Sequence, residues 1–539
     1  MTMSYPLLVP RILERARGLF PHKEIVTRTG EGTHRYTYRD LAQRVARLCN
    51  ALSSLGVGVG DRVGTFGWNT YRHLEAYFAA PNMGAVVHTI NIRLSLDDII
   101  YIINHAEDKV LLIDPDLIPL IEEMGPKLEP VKHFIIMTDN PKFSTTLPSS
   151  QLYEDLLSQA SDQHTPAELD EYAPLGLCYT SATTGRPKGV MYTHRGVYLH
   201  SMAECMADTL ALSERDVVMA VVPMFHANCW GLPYSSTLAG ATQVFPGVRP
   251  DPRAICELIQ QERVTISAGV PTIWIGVLDY LERSGEGYDF SSLREIVSGG
   301  SAVPASLIQR YRDRLGVKLV HAYGTTESTP LISYNRVKSN LDHLSPEEEL
   351  QLGGKQGLLI PGLEMKLVDD TGQTLPWDGQ HRGELLFRGP WIAREYYQDP
   401  RSAETFIDGW YHSGDIAAVD REGYIQIADR VKDMIKSGGE WISSVDLETA
   451  IIAHPGVLEA AVVAIPHPTW QERPLACVVP REDCRASLDK AQVLDFIRDK
   501  FARWWLPDDV VFLDEIPKTS VGKFDKKTLR ERFQGYSRE

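Results

Sequence analysis

The sequence predicts an α/β protein: a large N-terminal part of layered α/β subdomains, a β-rich subdomain, and a small mobile α+β C-terminal domain. Three observations carry this. Short apolar runs alternate with stretches of helical spacing up to about residue 354; strands punctuated by Gly and Asp take over beyond it; and a compact mixed tail follows residue 432. Strand–helix alternation signals parallel layers, because a parallel neighbour needs a crossover.

Taken in order, apolar residues recur at helical spacing over 41–55, stopping at Gly56, and again over 69–83 and 117–124. Strand-like runs fall at 63–67 and 110–113, then at 217–222, 264–268, 295–297 and 318–320. Short strands are expected at 362–368, 383–388, 416–419 and 424–427, and in the tail at 460–465 and 475–479, with helices over 490–500 and 526–533. The polar, weakly periodic segment 138–166 reads as a surface excursion.

Composition limits function. The chain has 539 residues, 43% apolar and 23% charged, which excludes disordered, fibrous and disulfide-stapled classes. A net charge of −16 argues against a polyanion as main partner. The seven cysteines are scattered with no Cys-x-x-Cys spacing, which fits reduced thiols in a cytoplasmic protein. The N-terminal run has an apolar patch of five residues rather than a signal peptide, and no apolar stretch approaches the ~18 residues of a membrane span.

Five local patterns bear chemistry. The loop Tyr179-Thr180-Ser181-Ala182-Thr183-Thr184-Gly185-Arg186-Pro187-Lys188-Gly189 offers amides, hydroxyls and a lysine to phosphate oxygens, although alone such a loop is more often a solvated turn. It is not a Walker A loop, having no Gly-Lys-Ser/Thr. Tyr323-Gly324-Thr325-Thr326-Glu327 combines a ring, a turn, hydroxyls and a carboxylate. Trp410-Tyr411-His412-Ser413-Gly414-Asp415 places a carboxylate at an expected strand start. The stretch from Asp429 to Glu440 mixes charges with Gly438-Gly439, and Pro517-Lys518-Thr519-Ser520-Val521-Gly522-Lys523 presents a lysine on a turn.

Together, in this order and over nearly the whole chain, these blocks resemble the adenylate-forming superfamily, which contains acyl-CoA synthetases, peptide-synthetase adenylation domains and beetle luciferases. The stretches IKSGGEWISSVDLE and AIPHPTWQERPLA look most like bacterial fatty acyl-CoA synthetases, and the overall pattern is further similar to 3-methylmercaptopropionate-CoA ligases of dimethylsulfoniopropionate breakdown. The resemblance implies ligation of a carboxylate to CoA through an acyl-adenylate, with ATP, Mg²⁺ and CoA as cofactor and co-substrates and a homodimer as the assembly.

Residue by residue, the resemblance gives Thr180, Ser181, Thr183, Thr184, Gly185 and Lys188 to the ATP phosphates. Tyr323 would stack on adenine in a slot completed by Gly299, Gly300, Ser301, Ala302, Gly324, Thr325 and Thr326. Asp415 and Arg430 would hold the ribose, and Thr184 and Glu327 the Mg²⁺, which favours hard oxygen ligands. Lys523 would bridge carboxylate and α-phosphate, with His226 and Glu327 beside the reacting groups. His226, Trp230, Gly324 and Pro330 would shape the acyl pocket. Lys432 would be the pivot of a 430–434 hinge between an N-terminal domain (1–429) and a C-terminal lid (435–539), and Gly438, Gly439, Glu440 and Trp441 would line the CoA tunnel. The family's phosphate loop carries Gly where Ala182 stands here, which restricts the backbone. The best-matching substrate is 3-methylmercaptopropionate, since sulfur–aromatic contacts suit a Trp-lined pocket; a medium- or long-chain fatty acid is the alternative, and an adenylating enzyme for another acceptor or an inactive paralogue stands behind both.

Overall fold

The computed structural model describes residues 3–30, 32–180, 185–430, 433–437, 440–520 and 522–536, with Glu440 described in its backbone only. Two large sheets dominate. The first has nine strands, running in order Leu358–Leu359, Leu331–Tyr334, Lys318–Gly324, Glu295–Gly299, Ile266–Gly269, Val217–Ala220, Thr242–Phe245, Glu24–Thr29 and Gly32–Thr37. Its central pairings are parallel, and antiparallel strands close both edges. The second has seven strands, from Ser150–Leu152 at one edge to Gly189–Thr193 at the other, parallel except for the last pair. This is the alternating layout expected from the periodicity.

The helices start where side chains can satisfy the first amides. Tyr38–Ser54 begins three residues ahead of the apolar periodicity because Thr37 and Asp40 form a reciprocal cap. Its buried face, with Leu41, Val45, Leu48 and Leu52, joins one core that residues of both sheets share. On the opposite face of the nine-stranded sheet, Ile296 and Leu319 pack with the fully buried Trp274 and Tyr311.

Two smaller sheets follow. One pairs Glu364–Val368, Gly383–Arg388, Trp410–Val419, Phe406–Ile407 and Ile425–Arg430. The other builds the tail around the long hairpin Val457–His467/Gln471–Pro480, flanked by helices Ser444–Ile452, Lys490–Arg498 and Lys526–Arg532. All seven cysteines are free thiols, five of them buried. No helix among the described residues is long and apolar enough to cross a membrane.

Two expectations are corrected. The segment 138–166 is not only a surface excursion: it contributes edge strand Ser150–Leu152 and helix Tyr153–Gln159. That helix buries only Tyr153 and Leu157, too few to show a period, yet the Tyr153 hydroxyl donates to buried Glu75 at 2.6 Å. Asp415 is also not at a strand start. Its strand begins five residues earlier at Trp410, and Asp415 pairs with Arg430 just ahead of a register shift between Ile416 and Ala417.

Candidate active site

The parallel strands of the nine-stranded sheet all end on one side, where ligands bind in such folds. Strand Glu295–Gly299 delivers Gly299 and Gly300 there, and strand Lys318–Gly324 delivers Tyr323 and Gly324. Two adjoining cavities open at this edge, of about 630 Å³ and about 220 Å³.

The smaller cavity is lined by Gly300, Ser301, Ala302, Tyr323, Gly324, Asp415 and Arg430. The Tyr323 hydroxyl donates to Asp415 Oδ2 at 2.5 Å, and Arg430 Nε lies 3.1 Å from Asp415 Oδ1. Asp415 is 2% exposed, so its anion is held by these partners. The same anion holds the Arg430 guanidinium charged, well above its ordinary range. Burial, with Asp415 adding to it, keeps the Tyr323 phenol neutral and donating.

The larger cavity is lined on one side by Thr180, Lys188, Thr325, Thr326 and Glu327 and on the other by His226, Trp230, Ala268, Val297, Ala322, Pro330 and Leu331. Gly299 and Gly324 also line it. Lys188 Nζ donates to the Tyr396 hydroxyl at 2.7 Å, which donates to Glu327 Oε1 at 2.7 Å. Burial lowers the Lys188 ammonium while Glu327 opposes the fall, and burial plus Glu327 keep the Tyr396 phenol protonated. Tyr396 therefore ties the phosphate-side lysine to the carboxylate. It lies in none of the five sequence patterns; its strongest local signal is a Tyr-Tyr pair in a polar stretch. Replacing it with phenylalanine should reduce kcat/KM for ATP about tenfold, as for one hydrogen bond to charged groups. Steady-state kinetics with ATP varied would show it, and an unchanged value would remove Tyr396 from the site.

Lys523 borders both cavities. It is held on a turn in which Thr519 N–H donates to the Lys523 carbonyl and Gly522 N–H to the Thr519 carbonyl. The turn is docked on the large part of the chain: Thr272 Oγ1 donates to the Gly522 carbonyl at 3.0 Å and Asn91 Nδ2 to Ser520 Oγ at 2.8 Å. Gly300 makes room for it. Its φ is +81°, and a Cβ there would stand 3.2 Å from Lys523 Cε.

Trp230 is half-buried, and its ring lies beside Gly299 and Gly300. It is carried by an unusual turn: Ala227, Asn228, Cys229 and Trp230 have φ of 42°, 47°, 57° and 56°, and Gly231 follows at 81°. Left-handed backbone costs an ordinary L-residue roughly 1–2 kcal/mol. Hydrogen bonds hold it in place, from Cys229 Sγ to the Val222 carbonyl and from Cys178 Sγ to Asn228 Oδ1, both at 3.1 Å. His226, just before the turn, is a neutral ring: burial, reinforced by the Lys523 charge, pulls it down to about 3.

Not every expected residue is gathered here. Ser181, Ala182, Thr183, Thr184, Lys432, Gly438 and Gly439 lie outside the described residues. Gly185 is exposed beside Arg401 and lines neither cavity. Trp441, on the hairpin Ile435–Ser437/Glu440–Ile442, is 48% exposed and lines neither cavity. With the Lys523 turn docked, the tail presents that loop to the site instead of this hairpin. No group of three or more His, Cys, Asp or Glu suited to a metal occurs among the described residues. A Mg²⁺ carried in with phosphates needs only one or two protein oxygens. The Glu327 carboxylate, with a single hydroxyl donor on Oε1, fits that demand.

A slot built around Tyr323, Asp415 and Arg430 that meets, at one lysine, a cavity with a polar side and an apolar side is the arrangement needed to join a carboxylate to ATP, and fold and site together define an adenylate-forming enzyme. Known proteins carry the assignment further. Residues 13–397 match the AMP-binding enzyme family and residues 446–523 the AMP-binding enzyme C-terminal domain. A long-chain-fatty-acid–CoA ligase of Thermus thermophilus is 52% identical across 97% of this chain and 95% of its own. A 3-methylmercaptopropionyl-CoA ligase of Ruegeria lacuscaerulensis is 42% identical across 99% and 98%. Among solved structures, an anthranilate CoA ligase in complex with anthranoyl-AMP superposes with a TM-score of 0.87 at 27% identity, covering 98% of both chains. The chain belongs to the AMP-binding family of adenylate-forming enzymes and is an AMP-forming acyl-CoA ligase.

Proposed function

We propose that the substrate is an aliphatic monocarboxylic acid, a medium- or long-chain fatty acid foremost, activated where Lys523 touches both cavities. That junction is the observation on which the reading rests. The acid's carboxylate would lie between Lys523 and the neutral His226, its chain over Ala268, Val297 and Ala322. These residues share one face of the sheet, and the two alanines leave room there. The 52% identity to a long-chain ligase, against 42% to the 3-methylmercaptopropionyl enzyme, puts fatty acids first. 3-Methylmercaptopropionate stands second, favoured by the Trp230 ring beside Gly299 and Gly300, which shortens the space next to Lys523.

In the first step a carboxylate oxygen attacks the α-phosphorus, the bond to the β-phosphate bridging oxygen breaks, and pyrophosphate leaves. Lys523 would neutralise charge on the carboxylate and α-phosphate, and Lys188 charge on the outgoing phosphates. Asp415 and Arg430 would fix the ribose and Tyr323 the adenine. Glu327 would hold Mg²⁺, which would supply further charge neutralisation there. In the second step the CoA sulfur attacks the acyl carbon, the acyl–oxygen bond breaks, AMP departs and the thiol proton is released. Pyrophosphate must leave before the thiol enters, so we assign 430–434 as a hinge, with Lys432 its pivot, that carries the 435–539 lid away from the 1–429 domain. The turn bearing Lys523 would then withdraw, and the segment 438–441 would approach as the CoA tunnel. The scattered free thiols support a cytoplasmic setting, and the family resemblance supports a homodimer.

CoA-dependent AMP formation across acids from propionate through 3-methylmercaptopropionate and hexanoate to palmitate tests this reading. Highest kcat/KM at hexanoate or beyond supports it; highest kcat/KM at 3-methylmercaptopropionate brings the second reading forward; no AMP with any acid overturns both. Replacing Trp230 by glycine removes the ring and suits the left-handed backbone. We expect it to raise palmitate kcat/KM relative to hexanoate at least tenfold, and an unchanged ratio would show that Trp230 does not limit chain length.

A further inference from the structure

The larger cavity reaches well beyond the reacting groups. Its lining includes Leu210, whose carbonyl accepts a hydrogen bond from Arg294, the residue before strand Glu295–Gly299. Gly299 at the other end of that strand lies by Trp230. Four steps of about 3.3 Å therefore separate the two ends by roughly 13 Å. Near the Leu210 end the cavity wall contains Glu204, the last residue of helix His194–Glu204, whose backbone carbonyl accepts from Leu212 N–H.

Glu204 is 2% exposed, and its Oε2 has no hydrogen-bond partner among the described residues. The groups facing it are His200, one helical turn back with Nδ1 3.9 Å from Oε2, the thiols of Cys205 and Cys229, and Ser235, whose hydroxyl donates to the Gly231 and Leu232 carbonyls. Burial holds His200 neutral, down at about 3, and pushes both thiols up, so no cation among the described residues stands opposite. Burial likewise pushes the Glu204 carboxyl up to about 8. At neutral pH it is an acid with an O–H to donate rather than an anion. Gly231 keeps this space open: its φ is +81°, and a Cβ there would fall 2.6 Å from His200 Cε1 and 3.3 Å from Glu204 Oε2.

A plain alkyl chain filling the cavity would cover this carboxyl with methylenes and leave a buried donor unsatisfied, which is costly. We propose that Glu204 is a specificity-determining residue: its carboxyl donates a hydrogen bond to an acceptor atom in the distal part of the acyl chain. Aliphatic acids carrying an ether, thioether, hydroxyl or carbonyl there are thus preferred over alkyl acids of equal length. The inference deepens the acyl-CoA ligase reading of the cavity and rests on it; it compares acids of equal length only and leaves the ranking by chain length as proposed above.

The test measures kcat/KM for each straight-chain acid from pentanoate to decanoate against the ω-terminal methyl ether acid of equal chain length, with 3-methylmercaptopropionate set against pentanoate. At one length or more the heteroatom acid should exceed its alkyl partner by roughly three- to tenfold, the worth of one net hydrogen bond. Glu204→Gln, which keeps a donor, should retain the preference, and Glu204→Leu should abolish it. In the native enzyme the preference should fall as pH rises through about 8, where the donor is lost, and it should stay flat in Glu204→Gln. The pH comparison needs no destabilising variant. Equal kcat/KM within every pair, or a preference that survives Glu204→Leu, overturns the proposal. No AMP from any acid would bring down the ligase reading and the proposal with it.

Discussion

Replacing Lys523 by alanine is expected to slow acyl-adenylate formation by roughly 100- to 1,000-fold, the loss associated with one preorganised donor at a centre of developing charge. Its position explains the size. It borders both cavities, and the docked turn holds it beside Gly300, whose lack of a side chain leaves it room. Transfer of the acyl group from preformed acyl-adenylate to CoA should remain within a few-fold of native. Pyrophosphate release and thioester formation, measured separately, distinguish the two steps. An equal loss in both would mean that Lys523 shapes the site in general rather than serving adenylation.

Replacing Asp415 by alanine should weaken ATP binding by roughly 10- to 150-fold, or about 1.5–3 kcal/mol for hydrogen bonds made to a charged group. Two neighbours lose their anchor at once, the Tyr323 hydroxyl and the Arg430 guanidinium. Asp415→Asn keeps the shape but not the charge and should fall between native and alanine. Isothermal titration with a non-hydrolysable ATP analogue reads the affinity directly. Equal affinities in all three proteins would take Asp415 out of nucleotide recognition.

The layered α/β architecture was legible because buried parallel strands are short apolar runs, and 217–222, 264–268 and 295–297 are such runs. Blocks of the site with several polar residues in a row were legible too: Tyr323, Glu327, Asp415, Arg430 and Lys523 come to the cavities as expected. Single residues were not. Tyr396 and Glu204 reach the cavity through tertiary packing, from a loop and from a helix end, and nothing in their sequence surroundings marks them. The polar edge strand Ser150–Leu152 is too short for alternation to show. The placement of Asp415 within its strand was missed because Gly414, a turn signal in isolation, is accommodated inside the strand at a positive φ, where the pairing with Gly383–Arg388 shifts register.

The left-handed turn at Ala227–Trp230 changes how selectivity can be adjusted. Four non-glycine residues held in costly backbone form a stiff mount whose shape is settled when the protein folds, before any acid arrives. An incoming chain then meets an aromatic side chain carried on a backbone that is already ordered, and ordering that backbone takes nothing from the binding free energy. Selectivity on such a mount should be tuned by exchanging the side chain at the tip. Small backbone rearrangements would have to cross from one clamped geometry to another, and few lie between.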